Sequence, residues 1–562
     1  MKQFMKYSCL VMLACMTAFI AQSKVINIDI DAIKGDLTTQ LNAMCERATY
    51  DDTAVLNFGR GKYTIDGTIM LRCNVVIKGQ GSDKSTVIID NNPAKPLTTD
   101  TYFMLHGTLA NTINVSISDI TFRMREHKGI WWKGIEKYIF QIHHANKVDM
   151  HNVESYLADA NATNFNLHVS SNVTVTDCIF SNYNNSEIGG CLWLRGEMHN
   201  VHVWNNKFYK YGKDEALAVF DRLVDNSRKY IRGKANRTNI LIEDNDIYYG
   251  EYKGNNKKDP ESNCGMVFSM LTDHRKSQDQ CATRNFSLRN NRFYISEVTS
   301  RCIYIGFDPA DTHENIRIEN NQIINSAIKR DYTFTHHDID VEDFSSCTDT
   351  IAIVNNTVKN SNVVINSEGS SGYTFLHALG ATVLVQGNIV TNTATVNPNN
   401  GKTAGVRVLS CGTEGGDITM RDNVFKGVNY VGHFNSSKPC KFASFTATNN
   451  HFEGDTRIYC HNIEELNLTF THNTLVSNNM NFFLQEFAKQ GKLVFNYNKV
   501  TVKPGGGMLM THWDKKTSTN AMRFNLLEVK GNTFKGVKSE RELLQNMTNT
   551  RKRKVSSNKV SR

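Results

Sequence analysis

Two adjacent stretches gather side chains able to bind an anion or move a proton. Between Val201 and Ile240 lie Arg222, Arg228, Lys229, Arg232, Lys234 and Arg237, with Asp225 among them; between Ile240 and Phe286 lie Lys253, Lys257, Lys258, His274, Arg275, Lys276 and Arg284. Clustered cations raise the local concentration of an acidic polymer, although a charged run also serves simply as a solvated loop. Lys276, His274 and Tyr304 can act as general base or acid, and Arg222 can balance a carboxylate beside a proton being removed. Trp193, Arg195, Tyr209 and Tyr211 add flat or cationic groups suited to sugar rings, whereas Phe220 and Phe268 read as core. Arg195, Arg228, Lys229, Arg232, Trp193, Asp221 and Asp308 are accordingly the candidate substrate-binding residues.

Acids interrupt the same region. Asp214, Asp221 and Asp308 could supply the two carboxyl groups of a glycoside hydrolase, one protonated and one ionised. In His336-His-Asp-Ile-Asp-Val-Glu342, strict strand alternation puts Asp338, Asp340 and Glu342 on one face, away from Ile339 and Val341. Three such carboxylates could hold a hard cation such as calcium; an exposed acidic strand face is the simpler reading. No Gly-x-Ser-x-Gly, P-loop or dinucleotide motif points to another chemistry.

The elements that must position these groups announce themselves as a repeat. Val201-His-Val-Trp-Asn-Asn-Lys-Phe208, Ile240-Leu-Ile-Glu-Asp-Asn-Asp-Ile247, Phe286-Ser-Leu-Arg-Asn-Asn-Arg-Phe293 and Ile316-Arg-Ile-Glu-Asn-Asn-Gln-Ile323 share one pattern. Each is a short alternating strand, a bend at Asn, and a return to an apolar residue. Further copies begin at Val115, Val173, Ile351, Val383, Ile418, Phe445, Leu468, Leu493 and Leu527, at intervals of 23 to 46 residues from Val173 onward. Asn tolerates left-handed backbone geometry at such bends, and like Asn residues on successive turns can stack in ladders. One phrase cannot bury a core, but a stack of them can. Second strands between phrases, such as Ala216 to Phe220 and Cys302 to Phe307, complete each turn of a parallel β-helix. At the start, Asp36 can cap a short helix with Leu37, Leu41 and Met44 on one face, a lid for the open end.

On these phrases the chain resembles the right-handed parallel β-helix superfamily of pectin-lyase-like proteins over residues 24 to about 540. The resemblance implies an all-β solenoid with an N-terminal capping helix and a carbohydrate-directed role, since lyases, glycosidases, esterases and non-catalytic proteins share that fold. Lys276-Ser277-Gln278 resembles the Lys-Ser signature of lyases of the chondroitinase-B and alginate-lyase type, in which the lysine is the base and an arginine one coil later assists. Here the next coil has Gly306-Phe307-Asp308 at the arginine's place, so His274 and Arg222 stand beside Lys276 as candidates. The polygalacturonase motifs are not evident.

Lys2, Lys6 and the apolar run Cys9 to Ile20, before Ala21-Gln22-Ser23, read as an export signal over residues 1 to 23; lipid attachment at Cys15 is the competing reading. No later segment is apolar enough for a membrane helix. The formal charge of +9 falls to +7 without Lys2 and Lys6, and to +1 without the six cations of residues 546 to 562. That basic end reads as a disordered tail, and the nearly neutral body (residues 24 to 545) gives no reason to expect a nucleic-acid partner. The 13 cysteines show no zinc-binding spacing; Cys45 with Cys73, and Cys264 with Cys281, are possible disulfides, and most others read as buried small hydrophobes. The expectation is an exported lyase acting on an acidic, uronic-acid-containing polysaccharide, a glycosaminoglycan before pectin or alginate. A glycoside hydrolase and a non-catalytic carbohydrate-binding β-helix are the alternatives; calcium is the candidate cofactor, and the sequence leaves oligomeric state open.

Overall fold

The computed structural model describes residues 23–562 apart from 91–98, 126–136, 159–161, 184–188, 212–214, 221–234, 251–265, 272–280, 297–300, 327–328, 331–335, 362–363, 366–371, 394, 397–404, 412–414, 441–442, 486–489, 504–507, 510–511, 514–523 and 544–549. The described chain is a parallel β-helix. Each central coil carries three strands, as in Leu217–Phe220, Ala235–Glu243 and Asp246–Gly250. Every strand pairs in parallel with its counterpart one coil on: Leu217–Phe220 with Met266–Leu271, Ala235–Glu243 with Cys281–Arg289, and Asp246–Gly250 with Arg292–Ile295. Three long parallel sheets result, and alternate residues of all three fill one continuous interior. Phe103, Phe140 and Phe165 illustrate the stacking, with ring centroids 4.5 and 4.7 Å apart on successive coils.

The Asn-rich bend lies between the second and third sheets and has two parts. Its first residue takes left-handed geometry, as at Asn205, Asp244, Asn290, Asn320 and Asn355. Its second is a buried Asn whose Nδ2 donates to Oδ1 of the Asn one coil later: Asn206 to Asn245, then Asn291, Asn321, Asn356, Asn388, Asn423, Asn450, Asn473, Asn498, Asn532 and Asn558. The spacing runs from 23 residues (Asn450 to Asn473) to 46 (Asn245 to Asn291), matching the sequence repeat. The ladder satisfies backbone groups that three sharply turned chain segments would otherwise bury unpaired. Gly387 takes the left-handed place where a Cβ would come within 2.2 Å of Asn355 Oδ1. A second, exposed ladder, Asn172–Asn200–Asn239–Asn285–Asn315, marks the bend between the first and second sheets.

The N-terminal lid is present: Asp36 accepts from the Thr39 N–H at 2.6 Å, and the helix Leu37–Cys45 buries Leu37, Leu41 and Cys45. Met44 is exposed rather than inward, because Cys45 takes the core-facing place. Cys45 and Cys73 are buried free thiols, not the expected disulfide, and burial pushes the Cys73 thiol up to about 11. Cys264 lies outside the described residues.

The basic C-terminal end differs from expectation. Instead of a solvated tail, Arg553–Ser556 and Lys559–Ser561 pair with the preceding coil, and Asn558 extends the ladder. Alternation explains it: Val555 and Val560 pack against the core while Lys554 reaches outward to Glu528 at 3.1 Å. No helix among the described residues is long and apolar enough to cross a membrane.

Candidate functional site

The first sheet carries an outward row that alternation separates from the interior. Leu192, Leu194, Leu217 and Val219 face the core, while Trp193 and Ala218 belong to a separate outer cluster with Tyr138 and Phe220. The strand register continues that row as Trp193, Ala218, Ser269, Tyr304, Asp340 and His377 on six successive coils. Phe268 is interior as expected; Phe220 is outward, a correction that follows from its register opposite Arg195.

Three of these coils build a charged cluster. Asp340 is fully buried and accepts from Nδ1 of His377 at 2.7 Å and Nδ1 of His337 at 3.0 Å. Arg301 Nε pairs with its Oδ2 at 2.5 Å, and Arg301 Nη2 donates to Glu342 Oε1 at 2.9 Å. Tyr304 donates its hydroxyl to Glu342 Oε2 at 2.8 Å, and the Arg301 guanidinium lies over the Tyr304 ring at 4.3 Å. The two imidazoles stack, centroids 4.6 Å apart. Because Asp340 takes Nδ1 of each ring, Nε2 of each is left for chemistry. Arg301 keeps 30% of its side chain exposed, so solvent reaches the cluster.

Burial and charge set the protonation states. Burial would raise the Asp340 carboxyl, but His377 and His337 together hold it well below the usual carboxylate range. Burial pulls the His337 imidazole down to about 4, against the opposing pull of Asp340. His377 feels the same burial, yet Asp340 outweighs it and leaves the imidazole above its ordinary value. One carboxylate thus holds an imidazole that is neutral near neutral pH beside one that favours its proton. Burial, followed by the Glu342 charge, drives the Tyr304 phenol far up, so it stays protonated. Opposed shifts on neighbouring groups are the pattern that separates an acid from a base.

The donor atoms of His337, Asp340 and His377 all lie within 4.8 Å of one another, so these three could hold a metal ion. Two imidazoles and one carboxylate suit a borderline cation such as zinc better than calcium, whose sites are built from oxygens. Strand alternation alone assigns calcium to a different set, Asp338, Asp340 and Glu342, and the structure divides it. Asp338 does not share a face with Asp340 and Glu342: its Oδ1 accepts from Asn325 at 2.9 Å and contacts His336 at 3.1 Å. Nor is this an exposed acidic strand, since Asp338 is buried where the strand departs from strict alternation, and Asp340, still on the outward face, is buried beneath His337, His377 and Arg301.

Of the other sequence candidates, several lie outside the described residues and the rest are placed away from this cluster. Lys276, His274, Arg222, Arg228, Lys229, Arg232, Asp221 and Asp214 lie outside the described residues. Arg237 is no part of a basic rim: it is fully buried and donates to the Val219 carbonyl at 3.3 Å. Arg284 is exposed, 3.6 Å from Glu314. Asp308 sits in the turn after Phe307, where its N–H donates to Asp311 Oδ2. Trp193 and Arg195 are on the outward face, the guanidinium 4.3 Å from the indole ring. Tyr209 is on the third sheet, stacked on Tyr248 at 4.7 Å. Sequence reasoning did not single out Arg301, His337 or His377 for this site.

No protein-family model matches the chain, and no curated protein matches it. Solved structures similar in fold include a tailspike protein of an E. coli bacteriophage in complex with a pentasaccharide (13% identity, 92% of this chain and 76% of that chain, TM-score 0.36). A family 6 alginate lyase in complex with a trisaccharide (11%, 80% and 85%, 0.32) and an alpha-1,3-glucanase of Streptomyces thermodiastaticus (11%, 90% and 68%, 0.31) are others.

Proposed function

We propose that the chain is an exported polysaccharide lyase that cleaves a uronic-acid-containing glycan by β-elimination at the Arg301–His337–Asp340–His377 cluster. The observation that carries this reading is the single buried carboxylate gripping two stacked imidazoles whose proton affinities are driven apart. In the reaction, Nε2 of neutral His337 takes the proton on the carbon beside the uronate carboxylate. The electron pair of that C–H bond becomes a carbon–carbon double bond, and the neighbouring carbon–oxygen glycosidic bond breaks. Protonated His377 gives its Nε2 proton to the leaving oxygen, so no water is consumed. Arg301 and the His377 charge lower the cost of the extra negative charge that builds beside the carboxylate.

Hydrolysis by Asp340 with Glu342 fits less well. That mechanism needs one ionised carboxyl and one free to give a proton to the leaving oxygen; Asp340 is held ionised by the two imidazoles, and both oxygens of Glu342 already accept, Oε1 from Arg301 and Oε2 from the Tyr304 hydroxyl. The glycosaminoglycan preference rests on the loop cations, which suit sulfates as well as carboxylates. Incubation with chondroitin sulfate, hyaluronan, heparin, polygalacturonate and alginate tests the reading. Ultraviolet absorbance of an unsaturated product on at least one of them, lost in His337→Ala and His377→Ala, is expected. New reducing ends without that absorbance would replace elimination by hydrolysis; salt-sensitive binding with neither signal would make this a binding protein.

A further inference from the structure

Inside the solenoid, one row of side chains runs beneath the exposed Asn ladder, each residue two places before its Asn: Ser170, Met198, Arg237, Thr283 and His313. Strand register stacks Met198, Arg237, Thr283 and His313 on successive coils, and all four are buried. Arg237 is fully enclosed, and its Nη1 donates to the Val219 carbonyl at 3.3 Å, tying the second sheet to the first. Its Nε and Nη2 are buried with no hydrogen-bond partner, and no carboxylate among the described residues pairs with it. Those two nitrogens form one edge of the planar fork. Elsewhere in this chain that edge meets an acid: Arg292 gives Nε and Nη2 to the two oxygens of Asp246, and Arg317 gives both to Glu319 Oε2 at 3.0 and 2.8 Å. One coil on from Arg237, the Thr283 hydroxyl is likewise buried with no partner.

A buried lysine or carboxyl can shed its charge, but a guanidinium keeps it. An unanswered ion in an apolar interior costs far more than a missing hydrogen bond. A water takes the hydrogen bonds of the edge and leaves the charge; one small anion answers both. We propose that Arg237 and Thr283 hold a monovalent anion, chloride in ordinary saline media, inside the bend between the first and second sheets. Nε–H and Nη2–H of Arg237 donate to it from one coil and the Thr283 hydroxyl from the next, about 4.8 Å along the axis. One guanidinium balances one unit of charge, so a divalent oxyanion such as sulfate would leave excess negative charge in the core. The ion fixes Arg237, and through it Val219, at the corner between the strands Leu217–Phe220 and Ala235–Glu243. The site is independent of the lyase reading: it lies within the solenoid and shares no residue with the Arg301–His337–Asp340–His377 cluster.

Crystals of the full chain grown in sodium bromide, with diffraction recorded at the bromine edge, test the site directly. An anomalous peak at hydrogen-bonding distance from Arg237 Nε and Nη2 is expected. In solution, thermal unfolding is followed as chloride replaces bulky gluconate at constant ionic strength. The wild-type midpoint should rise with chloride, as binding to the folded state alone requires. Arg237→Met removes the charge and keeps an unbranched side chain; it should abolish the rise and unfold above wild type in gluconate. Thr283→Val should shift the rise to about tenfold higher chloride, as expected for one lost hydrogen bond. Arg284→Ala, which removes an exposed arginine 3.6 Å from Glu314, should leave the rise unchanged. A wild-type midpoint indifferent to chloride, a rise that survives intact in Arg237→Met, or a bromide map with no peak at Arg237 overturns the proposal. Should Arg237→Met fail to fold, the bromide map and Thr283→Val still decide it.

Discussion

Replacing Asp340 by Asn tests the electrostatic core of the site with little change in shape. Asp340 is wholly buried, accepts from two imidazoles at 2.7 and 3.0 Å, and pairs with Arg301. An amide keeps one acceptor, but its Nδ2 turns a donor toward a group that is also a donor, and the compensating charge is lost. Removing one member of a buried ionic network costs about 3–5 kcal/mol, which urea unfolding would register as a lower midpoint. The linkage has a definite sign. His377 titrates above its ordinary value, so its contribution is complete at acidic pH and fades as pH rises through the raised folded value. His337 titrates at about 4, so its contribution is present above the ordinary imidazole range and is lost as pH falls toward that value. Asp340→Asn removes the first effect, so its deficit against wild type should narrow as pH rises above the ordinary imidazole range. Nuclear magnetic resonance titration of the ring protons should find His377 shifted down in the variant, and turnover should fall roughly 100-fold or more with the loss of a positioned acid–base pair. A His377 titration that does not move, or a deficit independent of pH, would refute the reasoning.

Other outcomes follow from the same contacts. Asn356→Ala removes an Oδ1 that accepts from both N–H and Nδ2 of Asn321, and an Nδ2 that donates to Ile318 O and Asn388 Oδ1; it should cost about 2–4 kcal/mol by chemical unfolding. Asn355→Gly, at the left-handed residue just before it, should stay within about 1 kcal/mol of wild type. Arg301→Lys cannot reach Asp340 and Glu342 together as the planar guanidinium does, so turnover should fall by about tenfold or more while the protein stays folded by circular dichroism. Zinc should inhibit by occupying His337, Asp340 and His377, and a chelator should restore activity; loss of activity on chelation, regained with a divalent ion, would instead make this a metal-dependent site.

The architecture was legible because it is written locally. Glu243-Asp-Asn-Asp246 already contains the strand end, the left-handed residue, the ladder Asn and the start of the next strand, and the structure reads them in that order. The C-terminal coil was misread because its cations dominated a composition in which only Val555, Asn558 and Val560 mattered. The site was harder, since its members are far apart in sequence and meet only through register. Asp340 and His377 are neighbours, yet Asp340 precedes its coil's repeat phrase at Ile351 by more residues than His377 precedes Val383, because the intervening turns differ in length. Counting back from the phrases therefore could not align them. His336-His337 offered a signal, but treating the strand as strictly alternating drew attention to three acids instead of to the imidazoles among them.

The most direct measurement is the mass balance of the products formed from a defined acidic oligosaccharide. The account predicts two fragments whose masses sum to that of the substrate, one bearing a double bond at its new non-reducing end. Fragments that together weigh one water more than the substrate would contradict it.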